Sequence, residues 1–222
     1  MGARNSQEKN VVFYKLKSKA DATNTPHFSK VEKVGDSWQE TDTFNELFGV
    51  IKGVELKESE HNGKKYKILS LKITDQSENS ILQMPFTNVT YSIVNCLINE
   101  FDINDEISLT LVKTKSTANG KDYYNASCYV NQDGEMVKWS IDIKETPRPE
   151  LILGKDGEPL LVNGDKVYDK TKVEQYWVDK IENILIPKFK NASSEENKII
   201  QDASPFEITT EFNEKEHDDL PF

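Results

Sequence analysis

Apolar and polar residues alternate over much of the first 140 positions, and this two-residue period predicts a chain built mainly of β-strands. Short alternating runs at 11–16 and 28–34, set between polar turns, predict one or two peripheral strands. From 48 to 58 the pattern describes a long strand carrying Gly49 and Gly53, and glycine inside a strand predicts a bulge or a strong bend. Asn62-Gly63 is a hairpin turn, because both residues tolerate the positive φ that a tight turn needs. The partner strand, 65–75, puts Lys67, Leu69, Leu71 and Ile73 on the face expected to be core, and Tyr66, Ile68, Ser70 and Lys72 on the other. A third strand is predicted at 81–86. The period then changes: Ile93, Val94, Leu97, Ile98 and Phe101 recur at helical spacing over 88–101, with Thr87 or Asn88 as the cap.

Alternation resumes at 106–115 through Ile107, Leu109 and Leu111, and after the Asn119-Gly120 turn a fifth strand is predicted at 122–131. In that strand Ala126, Cys128 and Val130 suit a core, while Tyr123, Asn125, Ser127 and Tyr129 point away. A further short strand, 136–141, contains Trp139. Three strands, a helix and two strands are the order of an OB fold, a five-stranded Greek-key barrel with one helix between strands 3 and 4. Beyond it, Leu151, Ile152 and Leu153 and then Leu160, Leu161 and Val162 flank a Gly-Lys-Asp-Gly turn as an added hairpin. A helix follows over 170–188, lined by Val173, Tyr176, Trp177, Ile181, Ile184 and Leu185 and ending near Pro187. The predicted organisation is therefore N-terminal strands packing on the barrel at 1–46, the OB core at 47–144, a hairpin and helix extension at 145–191, and a disordered acidic tail at 192–222.

Composition changes this picture in two ways. Only 36% of the residues are apolar and the mean hydropathy is −0.65, low for a compact enzyme of 222 residues and in keeping with an unpacked tail. The formal charge of −10 argues at first against a polyanionic partner. Yet the segment 192–222 holds nine acidic residues against two lysines, a charge of −7, which leaves only −3 for the body. A body so near neutrality can present a basic face. No apolar run reaches the length of a membrane span and the N-terminus lacks a secretory signal, so a cytoplasmic protein with no membrane partner is expected. Cys96 and Cys128 read as small buried thiols. His27, His61 and His217 lie in separate segments, and the chain has neither a phosphate-cradling Gly-Lys-Ser/Thr loop nor a Gly-x-Ser-x-Gly elbow. No enzyme activity, metal or cofactor is expected.

Binding a single strand without reading its sequence needs cations that follow the phosphates and aromatic rings on which any base stacks. The predicted barrel supplies both. Lys52, Lys57, Lys64 and Lys72 come from the first hairpin, Lys113, Lys115 and Lys121 from the second, with Tyr66, Tyr123, Tyr129 and Trp139 interleaved. Any one of these lysines could be a solvated surface charge, and Trp139 suits packing as well as stacking; the set carries the reading.

The tail ends in Asp218, Asp219, Leu220, Pro221 and Phe222. A merely solubilising segment has no use for a terminal Leu-Pro-Phe, whereas a partner pocket can use the apolar side chains, the stiffness of Pro and the terminal carboxylate. These five residues resemble the acidic tip that ends bacterial and several bacteriophage single-stranded-DNA-binding proteins. The body is similar to the phage OB-fold members through Gly49-Val50-Ile51-Lys52-Gly53-Val54, His61-Asn62-Gly63-Lys64-Lys65-Tyr66-Lys67 and Val137-Lys138-Trp139. It departs from the bacterial homotetramers, whose barrel starts near the N-terminus and is followed by a long Gly/Gln-rich linker, so a monomer or dimer is expected rather than a tetramer. The resemblance implies protection of single-stranded DNA in replication, recombination and repair, in the host cytoplasm if phage-encoded, with the tip recruiting replication proteins such as polymerase, helicase or primase. The alternative is a protein-interaction adaptor on a small β-barrel that binds no DNA. The resemblance also implies that the acidic tail competes with DNA for the body. Deleting residues 204–222 is accordingly predicted to tighten oligonucleotide binding at low salt and to abolish capture of replication proteins. A titration paired with a pull-down of defined replication proteins checks both halves.

Overall fold

A computed structural model describes residues 11–35, 37–61, 63–75, 78–118, 120–162 and 165–190. The predicted disordered tail and its tip fall outside the described residues. The chain is mainly β. Its strands are β1 (Val11–Lys17), β2 (His27–Val34), β3 (Ser37–Phe44), β4 (Glu46–His61), β5 (Lys64–Thr74) and β6 (Asn79–Pro85), followed by helix α1 (Asn88–Ile98) and then β7 (Ile107–Ala118), β8 (Lys121–Gln132) and β9 (Glu135–Met136). Among the described residues they form one mixed sheet in the order β3-β2-β1-β6-β5-β4-β7-β8-β9, antiparallel except where β1 runs parallel to β6.

The predicted sequence of three strands, a helix and two strands is present as β4, β5, β6, α1, β7 and β8. Strand pairing does not close these into a ring: β6 gives its second edge to β1, and β8 gives its own to β9. The sheet is nevertheless strongly coiled. Laid flat, six strands would hold β3 and β4 about 24 Å apart, yet β3 runs into β4 through the single residue Asn45. The Lys113 ammonium on β7 also donates to the Asn24 carbonyl between β1 and β2 at 2.9 Å, joining elements far apart in strand order.

Coiling puts one face of the sheet inside. Leu16 and Phe28 from the N-terminal strands join Ile51, Leu69, Leu71, Leu82, Met84, Leu109 and Val130 around the buried side of α1, Ile93, Val94 and Leu97. Each such fully buried side chain contributes about 1.5–3 kcal/mol. The N-terminal strands are thus part of the core rather than a peripheral layer. The polar β3 (Ser-Trp-Gln-Glu-Thr-Asp-Thr-Phe) has no apolar alternation and was not foreseen as a strand. Thr87 caps α1 as predicted, its side chain accepting from the Thr90 backbone N–H. Lys67, expected in the core row, is only half-buried; the core ends at Leu69, and the Lys67 charge acts on Glu174 instead.

Two further expectations need correction. Of the predicted 136–141 strand only Met136 falls in a strand, the two-residue β9 (Glu135–Met136). The rest is an extended strap across α1, because buried Asn95 accepts from the Ile141 N–H at 2.9 Å and donates to its C=O at 2.8 Å, doing with one side chain what a partner strand would do. Asn99 holds the Lys138 carbonyl in the same way. The second correction concerns Pro187. After α2 (Thr171–Lys180) the helix widens into a π turn at Ile181–Leu185 and continues as α3 (Ile186–Lys190), past the proline. Pro187 is the second residue of α3, directly after the π turn, whose wider ladder carries the helix up to it through the Ile186 N–H and the Ile181 carbonyl. Continuing the helix lets Phe189 join Val173, Trp177, Ile181 and Leu185 in the core, with Trp177 stacked on Tyr91 at 5.6 Å. It also brings Lys188 onto the terminal carbonyls of α1, Leu97 and Asn99, where a cation opposes the helix dipole.

Between these parts, the extension pairs three short segments. Leu153 bridges Pro159 across the predicted turn, Leu161–Val162 pairs Asp165–Lys166, and Glu150–Leu151 pairs Tyr168–Asp169.

Gly49 and Gly53 each do what a strand glycine suggests. The register of β4 against β5 shifts between Ile51 and Gly53. At Gly49 the strand changes partner, from β7 over 46–49 to β5 from Val50 onward. Its φ is +143°, and a Cβ there would stand 2.7 Å from Ile73 Cγ2 and 2.9 Å from the Thr74 carbonyl oxygen. Gly49→Ala is therefore predicted to cost about 2 kcal/mol or more. Gly35→Ala, also at positive φ but with nothing within 4 Å, should cost about 1 kcal/mol. Denaturant unfolding of the two variants makes the comparison.

Candidate nucleic-acid interface

The outward face of the sheet over β4, β5, β6, β1 and β2 follows from the strand registers. Glu55 lies opposite Ser70, Ser70 opposite Gln83, Gln83 beside Lys15, and Lys15 opposite Ser29, so five strands contribute one polar row. On one side of it lie Lys72, Ile81, Phe13 and Val31; the last three form a small apolar cluster backed by Trp38. On the other side lie Lys57 and Ile68, with Lys17 and His27 on the far strands, and Tyr66 follows two residues before Ile68. Lys15, Lys17, Lys57 and Lys72 thus share a face with Tyr66.

Two carboxylates are set among these cations. Glu55 Oε1 is 2.5 Å from Lys72 Nζ and its Oε2 is 3.4 Å from Lys57 Nζ. Partial burial pushes the Glu55 carboxyl up, but the two lysines outweigh it and hold its pKa below the usual value. Glu40 pairs with Lys17 at 2.7 Å, and there too the lysine overcomes a burial penalty. Lys15 is pushed down by burial, with repulsion from Lys17 adding to the effect and Glu40 opposing it. Beneath the ion pairs the floor is closed: Ser70 is 1% exposed and Gln83 2%. Neither Ser70 Oγ nor Gln83 Oε1 has a hydrogen-bond partner among the described residues.

Of the residues predicted from sequence, Lys57, Tyr66 and Lys72 come together on this face. Lys52 sits at the β4 bulge, and Lys64 opens β5 with its side chain outside the described set. Lys113 and Lys115 lie on the second hairpin against Tyr124, at 5.0 and 5.9 Å from its ring centre, on the side of β7 that carries Leu111. Tyr123 and Tyr129 occupy the opposite side of β8, and Lys121 is at the turn. Lys115 is tied to Asp122 at 2.8 Å. Tyr129 is 45% exposed, and Phe48, also outward on the neighbouring part of the sheet, is 56% exposed. Trp139 is exposed on the strap over α1. The structure therefore gathers three of the predicted residues with two lysines from β1, leaves Lys52 and Lys64 elsewhere on the first hairpin, and distributes the others over the second hairpin and the strap.

Sequence reasoning missed Lys15, Lys17, Ser70, Gln83 and Tyr124. The alternation of Lys15 and Lys17 with Tyr14 and Leu16 places both lysines on one side of a strand, but their meeting with Lys72 depends on the parallel pairing of β1 with β6. The thiols are buried as expected, and burial pushes Cys96 up to about 11. Among the described residues no group of three His, Cys, Asp or Glu side chains is placed to hold a metal, and no helix is long and apolar enough to cross a membrane. No protein-family model, curated protein or solved structure matches this chain.

Glu55 is 40% exposed and Lys57 42%, whereas Lys72 is 16% exposed; with the shared carboxylate open to solvent both pairs are screened and each contributes a few tenths of a kcal/mol. Glu55→Gln is predicted to change unfolding stability by less than about 0.5 kcal/mol while freeing Lys57 and Lys72. The variant should elute from heparin at higher salt than the unaltered chain, with a coincident melting curve.

Proposed function

We propose that this chain binds single-stranded DNA without base-specific catalysis or any other chemistry, and that the outward face of β4, β5, β6 and β1 is where the strand lies. The observation that carries the reading is the convergence of Lys15, Lys17, Lys57 and Lys72 with Tyr66 on one continuous face. Cations along a groove track the phosphates, and an aromatic ring offers a stacking surface to any base at about 1–3 kcal/mol. In this reading residues 46–132 are a variant of the OB barrel, supported by the order of three strands, helix and two strands and by a first strand that pairs with both halves. The place where such barrels close is taken up by β1 and β9. The second hairpin, with Lys113, Lys115, Lys121 and Tyr124, flanks the strand, and the acidic tip recruits replication proteins during replication, recombination and repair.

The adaptor reading has its own support, in Leu153, Leu161, Val162 and Tyr168, which stand exposed on the extension. An adaptor would bind no DNA.

Titration with oligo-dT and with duplex of equal length, at two salt concentrations, decides between them. We expect quenching of Trp fluorescence by oligo-dT, with Trp38 at the edge of the face as a reporter, and weak binding of duplex. The Lys57→Ala/Lys72→Ala double variant should reduce the slope of log K against log salt by about 1.4, since each phosphate contact on a single strand contributes about 0.7. Absence of quenching, or an unchanged slope, refutes this placement.

A further inference from the structure

Ser70 and Gln83 are the two neighbours at the centre of the polar row, opposite one another on β5 and β6. Strand residues at such positions are ordinarily either apolar or solvated. These are neither: both are almost wholly buried, and the hydroxyl of one and the amide oxygen of the other have no partner among the described residues. A buried polar atom left unsatisfied costs about 1–3 kcal/mol, and two directly opposite one another, in a row where the buried Ser29 hydroxyl is a third, call for an explanation. Apolar residues of the same shape would fold as well or better there. Glu55 stands opposite Ser70, and Lys72, two residues on from Ser70 along the same face, is bent to Glu55 at 2.5 Å. Lys15 flanks Gln83 from β1. The row is thus flanked by Glu55, Lys72 and Lys15, and the two lysines belong to the proposed phosphate-binding set.

We infer that Ser70 and Gln83 form a hydrogen-bonding floor for the N–H-bearing edge of a nucleobase, so that the bound strand is discriminated by base as well as held by its phosphates. The inference rests on the single-stranded-DNA reading of the face and adds to it a contact that stacking alone does not provide. Gln83 Oε1 accepts from a ring or exocyclic N–H, and the Ser70 hydroxyl donates to or accepts from the neighbouring position on the same edge. Access follows from the ion pair above: a phosphate that takes Lys72 from Glu55 lifts the side chain off the row and opens the floor at the moment a nucleotide arrives. Bases differ in the order of donors and acceptors along their edges, so one base satisfies both groups and another leaves one of them unpaired.

The test measures affinities for homopolymeric deoxyadenylate, deoxycytidylate and deoxythymidylate of equal length in three proteins: the unaltered chain, Gln83→Met and Ser70→Ala. The unaltered chain should separate its best and worst homopolymers by about fivefold or more. Gln83→Met should compress that spread to within about twofold, with Ser70→Ala in between. Melting temperatures are recorded alongside. Because Ser70 Oγ and Gln83 Oε1 are buried without a partner among the described residues, both variants should melt at the same temperature as the unaltered chain or higher, where a structural role predicts a fall. Equal affinities for the three homopolymers in the unaltered chain, an undiminished spread in Gln83→Met, or a lowered melting temperature in both variants overturns the floor. Absence of binding to every oligonucleotide overturns the single-stranded-DNA reading as well, and is thereby distinguished from loss of base preference alone.

Discussion

The architecture depends on one strand serving two neighbours. Strand β4 pairs with β7 over its first four residues and with β5 over the rest, and the change falls at Gly49, where Ile73 and the Thr74 carbonyl leave no room for a Cβ. Without that close approach the two halves of the sheet would splay, and α1 would lose one of the walls it packs against. The same strand is fed by β3 through Asn45 alone, which obliges β3, at the far end of the strand order, to return to the start of β4. Coiling is therefore imposed twice, by a glycine and by chain continuity. Together they bury one face around α1 and turn the other outward as the candidate binding surface.

Period-two alternation was enough to locate the central strands, the hairpin turns and α1, because each is a local pattern on a half-buried surface. It was insufficient where the stabilising contact is remote. Strand β3 is polar apart from Trp38 and Phe44 and shows no alternation; it exists because β2 offers it a hydrogen-bonding edge. The strap after Met136 has the composition of a strand, but its partner is the Asn95 side chain. Pro187 looks like a helix stop, but the π turn before it resets the ladder so that the proline occupies a first turn. In each case the residues were read correctly as types, and the long-range partner decided the outcome.

The candidate site shows the same division. Lys57, Tyr66 and Lys72 belong to one hairpin, so their sharing a face follows from the turn and the period. Lys15 and Lys17 lie more than 50 positions away in sequence from Lys72 and reach the same face only because β1 adds in parallel beside β6, a pairing with no local signature. Ser70 and Gln83 read as ordinary outward polar residues until their burial is known. What makes them unusual is a property of five strands together.

In the proposed reading, the charges on this face let a chain of net charge −10 take a polyanion as its ligand. Lys17 is held by Glu40, and Lys57 and Lys72 by Glu55, through carboxylates about two-fifths exposed, and pairs that solvent reaches are worth about 0.2–1 kcal/mol. Exchanging a carboxylate for a phosphate there is consequently an inexpensive step, unlike the breaking of a buried pair, which costs about 3–5 kcal/mol. Carboxylates so placed keep the free surface close to neutral and suppress loose attraction to any passing polyanion, yet they yield to a ligand that engages several lysines at once. A repeating phosphate backbone does so; an isolated anion does not. Selectivity for a strand over a small anion can thus arise from the spacing of weak ion pairs, before any base is contacted.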